Sequence, residues 1–288
     1  MEYRLLVPAG IGDFSWLWSK LSTTEDTYHI EYTNNPPHRL GAFLNLLPKD
    51  RILSHKLNEN YKVGFSVKNL TMTVKPMSTS TPTVRTAERY CDLRPHQLMY
   101  IEPNTHVEHG KRIEEWLGKE IPNTNLHYKI EGLLDNPKRQ NFFIVHLSSY
   151  HMQQVWSMYK LEDWISIISM IQKQTGWTPI FVGGSYDDFA SDVYEKYSDN
   201  NKAISLIGKT EDLISVLCLT QQCKLFLGCI SSGLTMLSNV LYTPSISWWP
   251  RTLLPTSWAD ESVGYKHFQW KEPKKDEQEI SEWIKRLL

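Results

Sequence analysis

Between residues 140 and 250 short apolar runs alternate with amphipathic stretches at a near-constant interval, and few folds accept that pattern. The apolar runs are Phe142–His146, Pro179–Val182, Ala203–Ile207, Leu225–Leu227 and Ser245–Trp248. Each is too short to be a helix and is bounded by glycine, proline or polar residues, so each reads as a buried strand. Between them, apolar residues recur at helical spacing over Leu161–Thr175, Tyr186–Tyr197, Glu211–Gln221 and Gly233–Leu241. Strands joined through helices run parallel, because a hairpin cannot connect parallel neighbours, and right-handed crossovers then place helices on both faces. The expected fold class is therefore α/β, with a doubly wound parallel sheet in this half. A charged, proline-containing linker leads to a last helix, Asp276–Leu288, whose Ile280, Trp283, Ile284 and Leu287 share one stripe.

The first half is less regular. Tyr3–Val7 reads as a buried strand, Pro8–Asp13 as a turn, Phe14–Leu21 as an aromatic helix and Thr27–Tyr32 as a second strand. A turn at Asn34–Pro37 precedes a short helix, His38–Leu47, that ends before Pro48. From Leu53 to Arg94 the chain is polar and rich in Ser, Thr and Pro, which predicts loops with one strand pair, Tyr61–Val67 and Leu70–Val74. Such long polar segments are either functional loops or plain solvated surface. Helical character resumes over His96–Gly118, and Lys119–Arg139 reads as a connection between domains. The expected domains are 1–130 and 140–275, with the terminal helix 276–288 free to pack back on the first.

With 288 residues there is room for two modest domains, since domains commonly run to about 100–200 residues. Lys plus Arg total 31 against 32 Asp plus Glu. That balance excludes a partner held by a chain-wide positive field, although a local basic track remains open at Lys68, Lys75, Arg85 and Arg89. The four cysteines, Cys91, Cys218, Cys223 and Cys229, form no C-x-x-C pair. A zinc site is not expected, and free thiols in apolar segments fit a reducing, cytoplasmic compartment. No stretch reaches the roughly 20 apolar residues of a transmembrane helix, and the N-terminus carries no signal-peptide pattern. Eleven Trp and fourteen Tyr suit stacking on sugar rings, but they suit core packing better.

In a parallel sheet, ligands gather beyond the carboxyl ends of the strands, where amides and helix N-termini converge. Four strand ends carry suitable residues. After the first strand, Gly10 and Gly12 allow a ligand close to the backbone, and Asp13 stands at the helix start as a candidate general base; a tight turn capped by Asp13 accounts for the same residues. The full G-x-G-x-x-G pattern is absent because position 15 is Ser. Gly183 and Gly184, followed by Asp187 and Asp188, suit a nucleobase and ribose, or a turn with acidic residues at a helix start. Ser231, Ser232, Gly233 and Leu234 put hydroxyls and consecutive amides at a helix N-terminus, a natural cradle for a diphosphate. It is not a Walker loop, since no G-K-[ST] follows, and no G-x-S-x-G elbow makes a serine nucleophile. Ser148 and Ser149, behind His146, are further phosphate or sugar contacts, while His146 itself reads as a hydrogen-bonded core histidine.

In order and spacing, the segments "LLVPAGIGDFSWLWSKL", "FFIVHLSSY", "VWSMYKLEDWISIISMI", "TPIFVGGSYDDF" and "ISLIGKTEDLISVLCLTQQCKLFLGCISSGLTMLSNVLYTPSIS" resemble the heptosyltransferase group of glycosyltransferases, family 9. The likeness runs along nearly all of the C-terminal half and, in the N-terminal half, mainly through the first strand and loop. It implies the GT-B fold, two facing Rossmann-like domains with a cleft between them, and transfer of a sugar from a nucleotide-sugar donor to a hydroxyl acceptor. By the same resemblance Asp13 is the catalytic base, Asp187 or Asp188 binds the donor ribose, and the turn Ser231–Leu234 holds the diphosphate. Trp156 and Trp164 match a W…W packing pattern. Neither metal nor other cofactor is implied: no D-x-D motif lies where a metal-dependent enzyme places one. The family's Asp-Thr-Gly-Leu-Ser-His run is Ser231-Ser232-Gly233-Leu234-Thr235-Met236 here, and its lysine two residues before Trp156 is Gln154. The loss of that acid and histidine leaves the sugar open among hexose, pentose and heptose, and the loss of the lysine removes or moves a charge contact to the donor phosphate or sugar. The acceptor expected is a glycan or a hydroxylated base of (phage) DNA; a non-catalytic nucleotide-sugar or glycan-binding module, and a sugar-nucleotide epimerase, are the rival readings.

Overall fold

The computed structural model describes residues 2–7, 10–34, 39–66, 71–76, 98–100, 127–147, 159–210, 212–229, 232–249, 265–269 and 273–288. It divides into two compact units, Met1–Gly132 and Leu133–Leu288.

The first unit contains β1 (Glu2–Val7), α1 (Ile11–Leu21), β2 (Thr27–Asn34), α2 (Leu40–Leu44), β3 (Ile52–Ser66), β4 (Thr71–Pro76) and β5 (Leu98–Tyr100). Their order across the sheet is β4-β3-β2-β1-β5. Strand β1 pairs in parallel with both β2 and β5, β2 pairs in parallel with β3, and only β3–β4 is antiparallel. Helix α1 forms because Phe14, Leu17, Trp18 and Leu21 recur at helical spacing, and all four are buried. Trp18 meets Tyr28 of β2 edge-to-face at 5.9 Å, and Phe14 meets Phe43 of the α2 helix at 6.5 Å. The last carbonyls of α1 would lack partners. Leu21 O takes the Thr24 amide and hydroxyl, and Arg51 ties this helix end to the turn beyond it: its Nη2 donates to Leu21 O at 3.1 Å, Nη1 to Ser22 O at 3.3 Å and Nε to Asp26 O, just before β2, at 2.7 Å.

Two expectations change here. The segment read as loop from Leu53 onward begins instead as the long strand β3. Its first part pairs with β2 and its second part forms the expected antiparallel pair with β4, Tyr61 opposite Pro76 and Phe65 opposite Met72. Residues Leu98–Tyr100, read as helix, are a strand alongside β1, because hydrogen bonding to Arg4–Leu6 outweighs local propensity. The remainder of His96–Gly118 lies outside the described residues.

The second unit contains β6 (Gln140–His146), α3 (Leu161–Thr175), β7 (Thr178–Phe181), α4 (Asp188–Ser198), β8 (Ile204–Ser205), α5 (Leu213–Gln222), β9 (Cys223–Cys229), α6 (Gly233–Val240), β10 (Ser245–Trp249), β11 (Tyr265–Gln269) and α7 (Pro273–Leu287). The six strands are all parallel, in the order β11-β10-β9-β6-β7-β8. Counted from β6 this reads three-two-one-four-five-six from the far edge, the Rossmann order, whose direction of winding reverses between β6 and β9. Strand β11 has no counterpart among the runs read from the sequence.

The core of this unit lies on the α3 face. Trp164, Ile167, Ile168 and Ile171 form the buried stripe of α3, and the helix stops at Gly176, whose φ of 71° is the left-handed conformation glycine adopts without strain. Trp164 meets Trp248 of β10 edge-to-face at 4.8 Å, and Trp248 stacks on Phe268 of β11 at 5.8 Å. Helix α7, expected to be free to return to the first unit, packs within the second. Ile280 and Ile284 join the core around Trp164, and the buried Asp276 accepts a hydrogen bond from the Tyr159 hydroxyl. Burial, then the bond to Asp276, holds the Tyr159 phenol well above its ordinary range. At the rim, Gln174 and Ser281 exchange two hydrogen bonds at 2.9 and 3.0 Å. An apolar stripe specifies that α7 must be covered but not by which partner, and α3 supplies the complementary surface.

Of the described cysteines, Cys218 is half-buried and Cys223 is fully buried, both as thiols. Burial pushes the Cys223 thiol up to about 12. A folded pKa raised above the unfolded value leaves stability intact below about 9 and removes it as pH climbs toward 12. In the native protein at pH 8, iodoacetamide should therefore label Cys218 and spare Cys223, with both labelled in denaturant; peptide mass mapping that finds Cys223 modified in the native state refutes this.

Candidate functional site

In the first unit β1 lies between β2 and β5, so the direction of winding reverses there as well. Gly10 O accepts from Phe14 N at 3.1 Å, the first bond of α1, and the helix thus opens at the carboxyl end of β1. Gly10 and Gly12 are half-buried at this opening. Asp13 occupies the third helical position, in the first turn, where the helix amides favour a negative charge. The turn is braced from behind by Ser15, whose hydroxyl lies 2.7 Å from that of Tyr128. Burial keeps the Tyr128 phenol protonated far above its usual range.

In the second unit the carboxyl ends of β6 and β9 face one another across the reversal point, with His146 in register with Gly228. Helix α6 starts at Gly233, and Ser232 caps it by accepting the Leu234 N–H at 3.1 Å. The Ser232 carbonyl takes the amides of Thr235 and Met236 at 3.1 and 3.4 Å. Among the described residues, the Gly233 amide is left open in the first turn of α6. The helix sits close on the sheet because position 228 is glycine: a Cβ there would lie 2.4 Å from Thr235 Oγ1 and 2.5 Å from the Phe226 ring. Ser148, Ser149 and Ser231 lie outside the described residues.

The diglycine turn after β7 is tightly built. A Cβ on Gly183 would lie 2.1 Å from Asp187 Oδ2, and one on Gly184 would lie 2.2 Å from the Tyr186 ring. Gly184 N donates to Asp187 Oδ2 at 3.2 Å, and Asp187 N returns a bond to Gly184 O at 3.0 Å. Gly208 N donates to Gly183 O at 3.0 Å, joining this turn to the one after β8. The two acidic residues thus have different settings. Asp187 is buried with its carboxylate turned into its own loop, whereas Asp188, the first residue of α4, is exposed.

The residue that sequence reading placed apart from the site is His146. It is buried, and its ring bridges two of the strand ends: Nδ1 lies 3.0 Å from Val182 O and Nε2 lies 2.6 Å from Ser232 Oγ. A histidine ending a strand and followed by two serines was the available signal; its partner lies 86 residues away. Among the described residues no three His, Cys, Asp or Glu side chains gather to hold a metal ion, and no helix is long and apolar enough to cross a membrane.

No protein-family model and no curated protein matches the sequence. Solved structures do. A glycosyl transferase of family 9 from Veillonella parvula DSM 2008 is 14% identical, with 99% of this chain and 90% of that one covered and a TM-score of 0.61. E. coli heptosyltransferase WaaC with ADP is 12% identical, with 99% and 100% covered and a TM-score of 0.58. E. coli ADP-heptose lps heptosyltransferase II is 11% identical, with 100% and 98% covered and a TM-score of 0.57. What is common at these identities is the fold: two Rossmann-like units in one chain, the GT-B architecture expected above.

Proposed function

We propose that this chain is a glycosyltransferase that moves a sugar from a nucleoside-diphosphate sugar to a hydroxyl acceptor. The observation that carries the reading is the Ser232–Gly233 turn, which opens α6 at the point where the second sheet reverses its winding. A helix N-terminus at that place suits a diphosphate. The likeness in fold to a heptosyltransferase solved with ADP supports the same reading.

In this mechanism Asp13 takes the proton of the acceptor hydroxyl as that oxygen attacks the anomeric carbon from the face opposite the leaving diphosphate, inverting the centre. Gly10 and Gly12 keep the backbone low beside Asp13. Ser148, Ser149, Ser231, Ser232 and the Gly233 amide form the diphosphate side, with Leu234 completing the turn through the bond of its amide to Ser232 Oγ, and the charge growing on the leaving group is stabilised by the hydroxyl and amide donors gathered there. Gly183 and Gly184 border the base, and Asp188 is the better placed of the two acidic residues for the ribose, because its carboxylate faces solvent while that of Asp187 is engaged with Gly184. This chemistry draws on the chain's own carboxylates, amides and hydroxyls and asks for neither metal nor cofactor. Thiols at Cys218 and Cys223 suit a cytoplasmic setting.

A thermal-shift screen against ADP-, UDP-, GDP- and CMP-linked sugars, followed by an assay of released nucleotide, tests the proposal. At about 100 times Kd a ligand adds about 2.7 kcal/mol, a rise of several degrees. One nucleotide class should raise Tm, and release should accelerate with a glycan or a hydroxymethylated duplex DNA as acceptor. A shift without any release identifies a binding module instead, and no shift with any donor refutes the donor site.

A further inference from the structure

The hydrogen bonds around His146 determine more than its packing. A carbonyl oxygen only accepts, so the Nδ1 facing Val182 O must carry the proton. In the neutral ring Nε2 is then a lone pair, and the Ser232 hydroxyl 2.6 Å away must donate to it. The same Ser232 oxygen accepts the Leu234 N–H. The hydroxyl proton is thus committed to His146, and an anion arriving at the Ser232 oxygen meets lone-pair density instead of a donor.

We propose that His146 is a positioning residue of the diphosphate turn, which takes up a proton as the diphosphate binds and so turns the Ser232 hydroxyl into a donor. The proposal rests on the donor-site reading above. With both ring nitrogens protonated, Nδ1–H still donates to Val182 O, and Nε2–H donates to the Ser232 oxygen. That oxygen now accepts from both Nε2–H and Leu234 N–H, and its own proton is released to a phosphate oxygen. The added proton comes from solvent and no other bond changes. A diphosphate supplies the negative charge that makes a buried imidazolium favourable. Among the described residues, the elements packed around the ring contribute the following groups. On the β9 side the Phe226 ring lies at 6.3 Å, with Gly228 in register, while Lys224 and Cys223 sit at the opposite end of that strand. Helix α6 carries no ionisable side chain. The loop after β7 contributes Tyr186 and Asp187, whose carboxylate accepts from Gly184 N.

Calorimetric titration with ADP, UDP and inorganic pyrophosphate, in buffers of different ionisation enthalpy, measures the proton uptake. Wild type should take up as much as one proton more per bound diphosphate than His146→Gln, whose amide can make the same two hydrogen bonds but cannot be charged. Between pH 8 and 6 the wild-type affinity should rise by up to about tenfold per unit relative to that variant. Imidazole nitrogen NMR of the wild type provides a readout independent of the variant's folding: the ring should be the Nδ1–H tautomer when free and doubly protonated with pyrophosphate bound. Binding with the ring still neutral, or equal uptake in both proteins, overturns the proposal and leaves the donor site standing. Absence of binding by any of the three probes overturns both.

Discussion

Asp13→Asn should reduce turnover by about 10²–10⁴-fold, the contribution of a positioned general base, while nucleotide affinity stays within about twofold. Asparagine is isosteric with aspartate and is tolerated at the same helical position, but it cannot accept the acceptor's proton. Because that proton moves only as the bond to the sugar forms, kcat and kcat/KM should fall together, the signature of a contact made only in the transition state. The acid limb of the kcat–pH profile should also disappear, since the group that titrates there has been removed. The alternative is that Asp13 does no more than complement the first turn of α1. In that case the substitution costs about 0.3–1 kcal/mol of stability and leaves turnover unchanged, which a melting curve and a nucleotide-release assay on one sample distinguish. Unchanged turnover removes Asp13 from the mechanism.

Trp248→Ala should be the most destabilising single truncation in the second unit. The indole is fully buried and in ring contact with Trp164 at 4.8 Å, Phe268 at 5.8 Å and Tyr159 at 6.3 Å. It therefore links three parts of the core: α3, the edge strand β11, and Tyr159, which anchors α7 through Asp276. Emptying such a site costs about 3–5 kcal/mol, or on the order of 10 °C in Tm for a unit of this size. The loss should fall on the unfolding of Leu133–Leu288, and Trp248→Phe should recover part of it by refilling some of the space. A drop in Tm of less than about 3 °C would show that the neighbouring rings collapse into the gap and that Trp248 is not the centre of this core.

Much of the second unit was legible because its elements are specified locally. Helix α3 was expected over Leu161–Thr175 and is found there. Acidic residues in its first turn, a four-residue apolar stripe and a glycine at the αL position each act within a turn or two of chain. Strands β6, β7, β9 and β10 were anticipated within a residue or two, since a buried parallel strand is a short apolar run between breakers. Strand β8 was expected over Ala203–Ile207 and is only Ile204–Ser205, because an edge strand ends where its neighbour ends. Strand β11 and strand β5 went unread for a related reason. Neither Tyr265–Gln269 nor Leu98–Tyr100 carries a distinctive pattern, and each is a strand by virtue of the neighbour it pairs with.

The candidate site divides in the same way. Glycine and serine turns at strand ends can be recognised from residue type alone, so the residues around Gly10, Gly183 and Ser232 are legible in the sequence. Which carboxylate of the Asp187–Asp188 pair faces solvent depends on how the loop folds over Gly183, and the two are chemically identical in the sequence. His146 was the larger surprise: alone it is a buried histidine, and only the approach of β6 and β9 brings it to the cap of α6.

By itself, then, the amino-acid order determined the parallel α/β class, the positions of most helices and strands, and the turns able to receive a ligand. Periodicity and turn chemistry act over a few residues, so they are written where they act. Tertiary structure alone decided the strand order, the seat of α7 against α3 and the hydrogen-bond partner of His146. A stripe or a polar side chain encodes the need for a partner, and the partner's identity is settled only when distant segments compete for the same place.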